Sequence, residues 1–530
     1  MTITTGKSPR KHNPAQAPIK KIAFPTLAPV AILALLASPV CKADFKITPS
    51  ASVSETYTDN VNLTVDSQAQ HEFITEFTPG ITISDNGPNL KLNAVYTAQY
   101  YEYSNKDVAN INQFQNALQA NANAAIVKEF FYIDSTASIS QQAVSAFGPQ
   151  VNDNSYSDNN RTEVKTITFS PYITKNLGTT AVFQARYMHD AENSGNVQLG
   201  DTQSDGVLLS LASGPAFRLV NWGLEFNRQT VESTVSTTVT EQTAELSGAY
   251  IMTPELSLTA NAGYDEFEYQ GFAADNQREN FWLAGLTWTP STRTNVQFSG
   301  GRRYGGTSYN LVATHHTRNS VWMINYNDSV TTTLSQFSSP SNISTAGLLT
   351  QLNSATITDP GQLQQSVSNT IGEAGMPSSL ANSANFFSNG FFLQKQLQAS
   401  VAFNTARSTL IFSVFDTERT TLNPSEFAGF LGNNSNLLLN DNNRQLGGSS
   451  ILNWEVTPRT NFYLNGNYTK IESLSSNLSN FNRAVVFGMT RHIKPHLQGT
   501  LELRRVEGTT VDGVDTYHEN AIMGSLTLQL

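Results

Sequence analysis

Between residues 245 and 264 the chain reads ELSGAYIMTPELSLTANAGY, and apolar and polar side chains trade places on both sides of a Thr-Pro. Leu246, Gly248, Tyr250 and Met252 share one phase before the proline. Leu256, Leu258, Ala260, Ala262 and Tyr264 share one phase after it. A period of two sends alternate side chains to opposite faces of a strand. The design recurs in NFWLAGLTWTPSTRTNVQFSGG (280–301) and ILNWEVTPRTNFYLNGNY (451–468), and with Lys-Pro in FGMTRHIKPHLQGTLEL (487–503). Related turns are expected at FSPYITKN (169–176) and SGPAFR (213–218). Proline brings no ladder donor, so each of these marks a strand end or a short turn inside a hairpin.

The other junctions are long and polar: 189–205, 265–280, 419–445 and 506–520. Short turns alternating with long loops are the habit of outer-membrane barrels, with the short turns in the periplasm. The spacing of Pro215, Pro254 and Pro290, and of Pro458 and Pro495, fits one hairpin per interval. Carried along the chain, the pattern predicts an all-β fold: a transmembrane up-and-down antiparallel β-barrel of 20–22 strands, covering 44–530. In the last segment, NAIMGSLTLQL, Ile522, Gly524, Leu526, Leu528 and Leu530 share a face, and Met523, Ser525, Thr527 and Gln529 share the other.

The phase sorts the wall into lipid and lumen faces. Val220, Trp222, Leu224 and Phe226 read outward, as do Trp322, Ile324, Tyr326, Leu501 and Leu503. Asn221, Asn227 and Gln229 read inward, together with five charges: Arg186, Glu225, Glu245, Glu502 and Arg504. These five are the candidate lumen-lining residues, expected to modify selectivity and not to catalyse. The resulting lumen is wet and rich in Asn, Gln, Ser and Thr, a lining for a polar or saccharide-like solute. Trp288 and Tyr250, near strand ends, are expected in the aromatic girdle at the membrane interface.

Residues 337–390 break the alternation. Within them TDPGQLQQSVSNTIGEAG has Asp359 as a helix cap and Pro360 in the first turn. This partly helical insertion either folds inward as a plug and narrows the pore or sits outside as a long loop. Its Ser, Asn and Gln content favours an external or loosely held loop, or a disordered one, over the plug.

Charge and composition agree with a membrane wall. Charged residues make up 14% of the chain, against roughly 25% in ordinary globular proteins. Residues 1–43 carry basic side chains and no acid, then an apolar core broken by Pro25, Pro29 and Pro39, then CKA, and read as a signal peptide. It contains the single cysteine, Cys41, and six of the 32 basic residues. The mature chain would keep 26 basic against 42 acidic side chains, a net charge of −16. That balance argues against a nucleic-acid partner.

Linear motifs for chemistry are missing. Among the eight histidines, His315 and His316 are adjacent, and Pro495 interrupts the His492–His496 spacing. There is no HExxH run, GxSxG elbow or phosphate-binding glycine loop. No catalytic, metal or cofactor site is expected. Gly300-Gly301 and Gly447-Gly448 are expected to ease wall curvature or close contact.

The segment after the leader, FKITPSASVSETYTDNVNLTVDSQAQHEFITEFTPGITIS (45–84), resembles the start of PEP-CTERM system-associated outer-membrane proteins. ITPSASVSETYTDNV and FITEFTPGI carry the likeness, and it continues through YTAQYYEYSN (96–105) and the later Thr-Pro hairpins. It implies an outer-membrane barrel in bacteria that sort proteins with exosortases and make exopolysaccharide. The same opening also looks like barrels of exopolysaccharide operons. No functional residue carries over. The reading is therefore a channel or structural pore linked to exopolysaccharide export, in contact with outer-membrane lipid, with a polysaccharide or other polar solute and periplasmic export proteins as partners. A closed, surface-exposed scaffold or adhesin-like barrel is the alternative, and an outer-membrane hydrolase a third reading.

Overall fold

Each alternating segment lies hydrogen-bonded between its predecessor and its successor. The first strands are β1 (Lys46–Thr58), β2 (Glu72–Asn86), β3 (Leu90–Tyr103), β4 (Phe114–Val127), β5 (Phe131–Ala143), β6 (Arg161–Leu177) and β7 (Ala181–Ser194). Then come β8 (Thr202–Ser213), β9 (Val220–Ser233), β10 (Val239–Thr253), β11 (Leu256–Tyr269), β12 (Gln277–Ser291), β13 (Thr294–Arg303), β14 (Gly306–His316) and β15 (Ser320–Thr331). Two helices follow, α1 (Thr345–Asn353) and α2 (Pro360–Glu373). The wall resumes with β16 (Phe392–Asn404), β17 (Ser408–Thr421), β18 (Asn443–Thr457), β19 (Thr460–Ser473), β20 (Ser479–Lys494), β21 (Leu497–Thr509) and β22 (Thr516–Gln529).

This computed structural model describes residues 45–105, 113–149, 153–156, 160–195, 200–235, 238–269, 277–332, 391–422, 442–510 and 515–530. Between β15 and β16 it describes 334, 336, 343–354, 357, 360–373, 376 and 380. The expected leader, 1–43, and the expected cap Asp359 lie outside the described residues.

β1 pairs antiparallel with β22, from Ser50↔Gln529 to Thr58↔Ala521, and closes a 22-stranded barrel. Closure leaves no sheet edge, the condition for strands in lipid. The outward phase is apolar and exposed: Leu246, Leu258, Val414, Leu464, Leu501 and Leu526 all face away from the lumen. Trp222, Trp288, Trp322 and Trp454 stand on that face two or three residues from the same rim. Tyr100, Trp282, Tyr309 and Tyr468 lie nearer the other rim. An apolar band between two aromatic girdles is the exterior of a bacterial outer-membrane barrel, and the chain is one.

The short turns, among them 254–255, 292–293 and 458–459, share one rim with both ends of the barrel chain, Lys46 and Gln529. That rim is periplasmic and the opposite one extracellular. At the Thr-Pro and Lys-Pro hairpins the register slips beside the turn, between Ile251 and Thr253, Trp288 and Ser291, Glu455 and Thr457, and His492 and Lys494. The prolines thus sit where pairing is already irregular.

Three expectations are corrected. FSPYITKN (169–176) is not a turn but lies inside β6. Pro171 faces outward and pairs with Ile133 on β5, while pairing to β7 skips from Phe169↔His189 to Tyr172↔Arg186. One missing donor is tolerated in a wall held from the other side. Second, the junctions 189–205, 265–280, 419–445 and 506–520 are largely strand at their ends, because the strands run on past the apolar band toward the extracellular rim. Third, the described parts of 337–390 are not an external loop. Leu348, Leu349 and Leu352 of α1 are buried with Val321, Ala402, Ile411 and Ile451, all inward-facing wall residues. An apolar stripe in a Ser/Asn/Gln-rich segment was enough to draw it inside.

Candidate functional site

The lumen is built by the inward phase of every strand, and its two ends differ. At the extracellular end the inward side chains are buried around the ring: Thr58, Glu72, Tyr101, Val164, Glu192, Ser204, Asp265, Ser308, Arg419, Asn443, Asn482 and Glu519. Toward the periplasm, on β9–β14, they stay accessible to water. Asn221, Glu225 and Gln297 are exposed, and Ser247, Ser257, Thr259 and Asn261 are half-buried. Among the described residues, then, the extracellular end is lined mainly by buried side chains, with Glu279 of β12 an exposed exception, and the periplasmic end holds a wet polar vestibule.

The described parts of the insertion pack inside the lumen along β15–β20. Ser344 caps α1 by accepting from the Gly347 N–H at 3.0 Å. Near the extracellular rim, Arg419 donates to Gln336 Oε1 at 2.8 Å and to Gln394 Oε1 at 3.2 Å. Lower down, Gln398 bonds the backbone of Ile343. Near the periplasmic rim, Asn404 reaches Asn353 at 3.5 Å. Ser449 donates to the Leu380 carbonyl at 3.0 Å. The segment therefore descends almost the length of the wall, and a row of glutamines, 394, 396 and 398, lines its path.

Two other elements close the outer end. Phe391, at the exit of the insertion, packs on Phe267 with ring centroids 6.1 Å apart, beside Val239 of β10. The β5–β6 loop crosses to the far wall. Phe147 packs on Ile471 of β19, and its carbonyl accepts from Asn480 of β20 at 2.9 Å. Further on, Asp153 pairs with Arg504 of β21 at 2.8 Å. Arg504 also donates to the Tyr156 hydroxyl, which donates to Glu519 of β22. Thr58 of β1 donates to the same carboxylate at 2.9 Å. Leu63, Val506 and Tyr517 surround Tyr156.

Charge sets the state of this latch. Burial works to raise the Asp153 carboxyl, but Arg504 and the Ser155 backbone N–H outweigh it and hold it below its ordinary value. Burial pushes the Tyr156 hydroxyl well above its usual range against the pull of Arg504, so it stays a neutral donor. The Arg504 side chain is 13% exposed and Glu519 fully covered. Breaking one partner of such a pair costs about 3–5 kcal/mol.

All five candidate charges point into the lumen, but they do not form one site. Glu225 and Glu245 are register partners on β9 and β10 at the vestibule wall. Glu225 is exposed, whereas Glu245 accepts from Asn261 at 2.6 Å and lies 3.8 Å from Arg303. Arg186 is committed to Asp134 at 2.8 Å and Ser170 at 2.8 Å, and stacks over Tyr172 at 3.9 Å. Glu502 and Arg504 are not in a wet lumen. Glu502 accepts from the Tyr463 hydroxyl at 2.9 Å, and Arg504 is the anchor of the latch.

Sequence reasoning missed Asp153, Tyr156, Glu519, Gln398 and the Arg303–Asp265 pair, bidentate at 2.8 and 2.9 Å. Phase alone places Glu519 and Arg303 inward; Asp153 and Tyr156 lie in a loop, where no phase exists.

No protein-family model matches the sequence, and no curated protein matches it. Solved structures with a similar course include the FrpB iron transporter from Neisseria meningitidis, 9% identical, covering 91% of this chain and 82% of that one at a TM-score of 0.48. The siderophore receptor PirA from Pseudomonas aeruginosa is 9% identical over 92% of this chain and 80% of that one, TM-score 0.42. The ferric-catecholate import receptor Fiu from E. coli K12 is 8% identical over 91% and 81%, TM-score 0.45. At such identities and scores the likeness carries no functional argument.

Proposed function

We propose that this protein is a gated outer-membrane channel for polar solutes, described here in a closed state. The carrying observation is the contrast between a largely buried extracellular ring and a water-accessible periplasmic vestibule on β9–β14. A barrel that served only as a wall has no need of a polar chamber open to the periplasm. Passage requires the latch and the insertion to shift, and their contacts are the polar, separable kind that permit it. The opening residues 45–84 point to exopolysaccharide export as the setting, with a glycan as cargo and periplasmic proteins as the gate's partners. The vestibule's Ser, Thr, Asn and Gln suit such a cargo.

The test is swelling of proteoliposomes in neutral oligosaccharides. The barrel should admit small sugars slowly, and faster once Arg504→Ala releases the latch. Thr259→Trp with Asn261→Trp should slow entry again by narrowing the vestibule. No entry under either condition would favour a surface scaffold with a closed lumen.

A further inference from the structure

Four outward-pointing cations near the extracellular rim are neutralised by acids. Arg444 pairs with Asp416 at 2.6 Å, Lys165 with Glu163 at 3.0 Å, Lys470 with Glu472 and Arg483 with Glu507. Arg302 of β13, like Arg228 of β9, stands outside these pairs. It is exposed on the outer wall and forms no hydrogen bond or ion pair with any described residue. The Glu279 carboxylate borders the nearby turn at Gly305 but belongs to the lumen phase of β12.

Arg302 heads a cleft of about 500 Å³ in the outer wall. Its sides are Trp282, the register partner of Arg302, and Tyr309, the register partner of Gly300. Both rings are exposed. Gly300 makes the cleft: a Cβ there would come within 3.0 Å of the Tyr309 ring. Thr307 adds a hydroxyl beside Arg302. The rim above is low. β13 and β14 join through a two-residue turn, Tyr304 at φ 55° and Gly305 at φ 73°, the positive pair that a tight hairpin needs. No loop at this hairpin covers the cleft. On the same wall Arg278 lies over the Tyr264 ring at 4.3 Å and adds positive charge.

We propose that this cleft binds the phosphorylated glucosamine headgroup of lipid A, the anchor of lipopolysaccharide in the outer leaflet. An unpaired guanidinium at the membrane surface offers a fork of donors to a phosphate. The exposed faces of Trp282 and Tyr309 cover the sugar ring and the first acyl carbons, as amphipathic aromatics do at the interface. Arg444, Lys165, Lys470 and Arg483 are answered by acids, whereas Arg302 keeps its charge and has an aromatic-walled cleft beside it.

The test measures lipid retained by the full-length barrel in detergent, by native mass spectrometry, with diphosphorylated lipid A as probe. Arg302→Ala should weaken retention about tenfold, the loss of one charge-assisted contact of about 1.4 kcal/mol. Arg302→Lys should recover part of it. Gly300→Leu, which fills the cleft and leaves the charge, should abolish it, while Arg444→Ala should bind as the wild type does. Heat-modifiable gel migration checks that each variant is folded. Equal retention by Arg302→Ala overturns the site. Equal binding of dephosphorylated lipid A, or of phosphatidylglycerol, overturns the headgroup assignment.

Discussion

The side-chain amide of Gln398 grips the backbone of Ile343 from both sides, accepting from its N–H at 2.8 Å and donating to its carbonyl at 3.3 Å. A wall residue thereby takes the part of a neighbouring strand for a segment that belongs to no sheet. Removing it leaves two buried backbone groups without partners, at about 1–3 kcal/mol each. Gln398→Leu should therefore lower the opening free energy of α1 by about 2–4 kcal/mol, read as faster amide hydrogen exchange across Thr345–Asn353 while strand amides in β5–β8 keep their protection.

The apolar stripe of α1 should be the insertion's main hold. Leu348 and Leu349 are fully buried against the lumen wall. Replacing each by alanine should cost about 2–5 kcal/mol, more than a short helix docked in a wet lumen can lose. Leu348→Ala with Leu349→Ala should raise conductance and leave heat-modifiable migration unchanged.

Arg504 and Asp153 should be coupled. Either Arg504→Ala or Asp153→Ala breaks the latch, so the double variant should lose less than the sum of the two. The reporter is a cysteine at Ser155, which is buried within the latch loop. The full sequence has one native cysteine, Cys41, within the expected leader. A maleimide added to intact cells should label Ser155→Cys slowly in the wild-type background and at least tenfold faster in either single variant, for a loss of about 3 kcal/mol or more.

The vestibule charges should act by sign. Glu225 is exposed on the wall and Glu245 stands opposite it in register. Neutralising both should shift reversal potentials toward anions. Arg186→Gln should shift them weakly the other way, because its charge is already answered by Asp134.

Much of this architecture was legible in the alternation itself. A period of two, sustained between turn signals, states both the strand and its faces, and Trp222, Glu225, Trp322 and Glu502 point as their phase requires. Proline was a less faithful guide. Pro254 and Pro458 mark turns, but Pro171 stands inside β6, because a wall strand paired on both sides survives one lost donor. The closure of the lumen was not legible. It depends on loops meeting strands far away in sequence, as Tyr156 meets Glu519, and loops have no phase to read. The insertion was half legible: Pro360 opens α2 where the capping pattern put it, while α1 passed unread despite Ser344 ahead of Leu348, Leu349 and Leu352.

The gated lumen is tested most directly by single-channel conductance in planar bilayers, comparing the full barrel with one whose residues 337–390 are replaced by a short Gly-Ser linker. The wild type should show small, infrequent openings, and the shortened barrel a steady conductance several-fold larger, because the segment packed along β15–β20 no longer fills the lumen. Equal conductance in the two would contradict it.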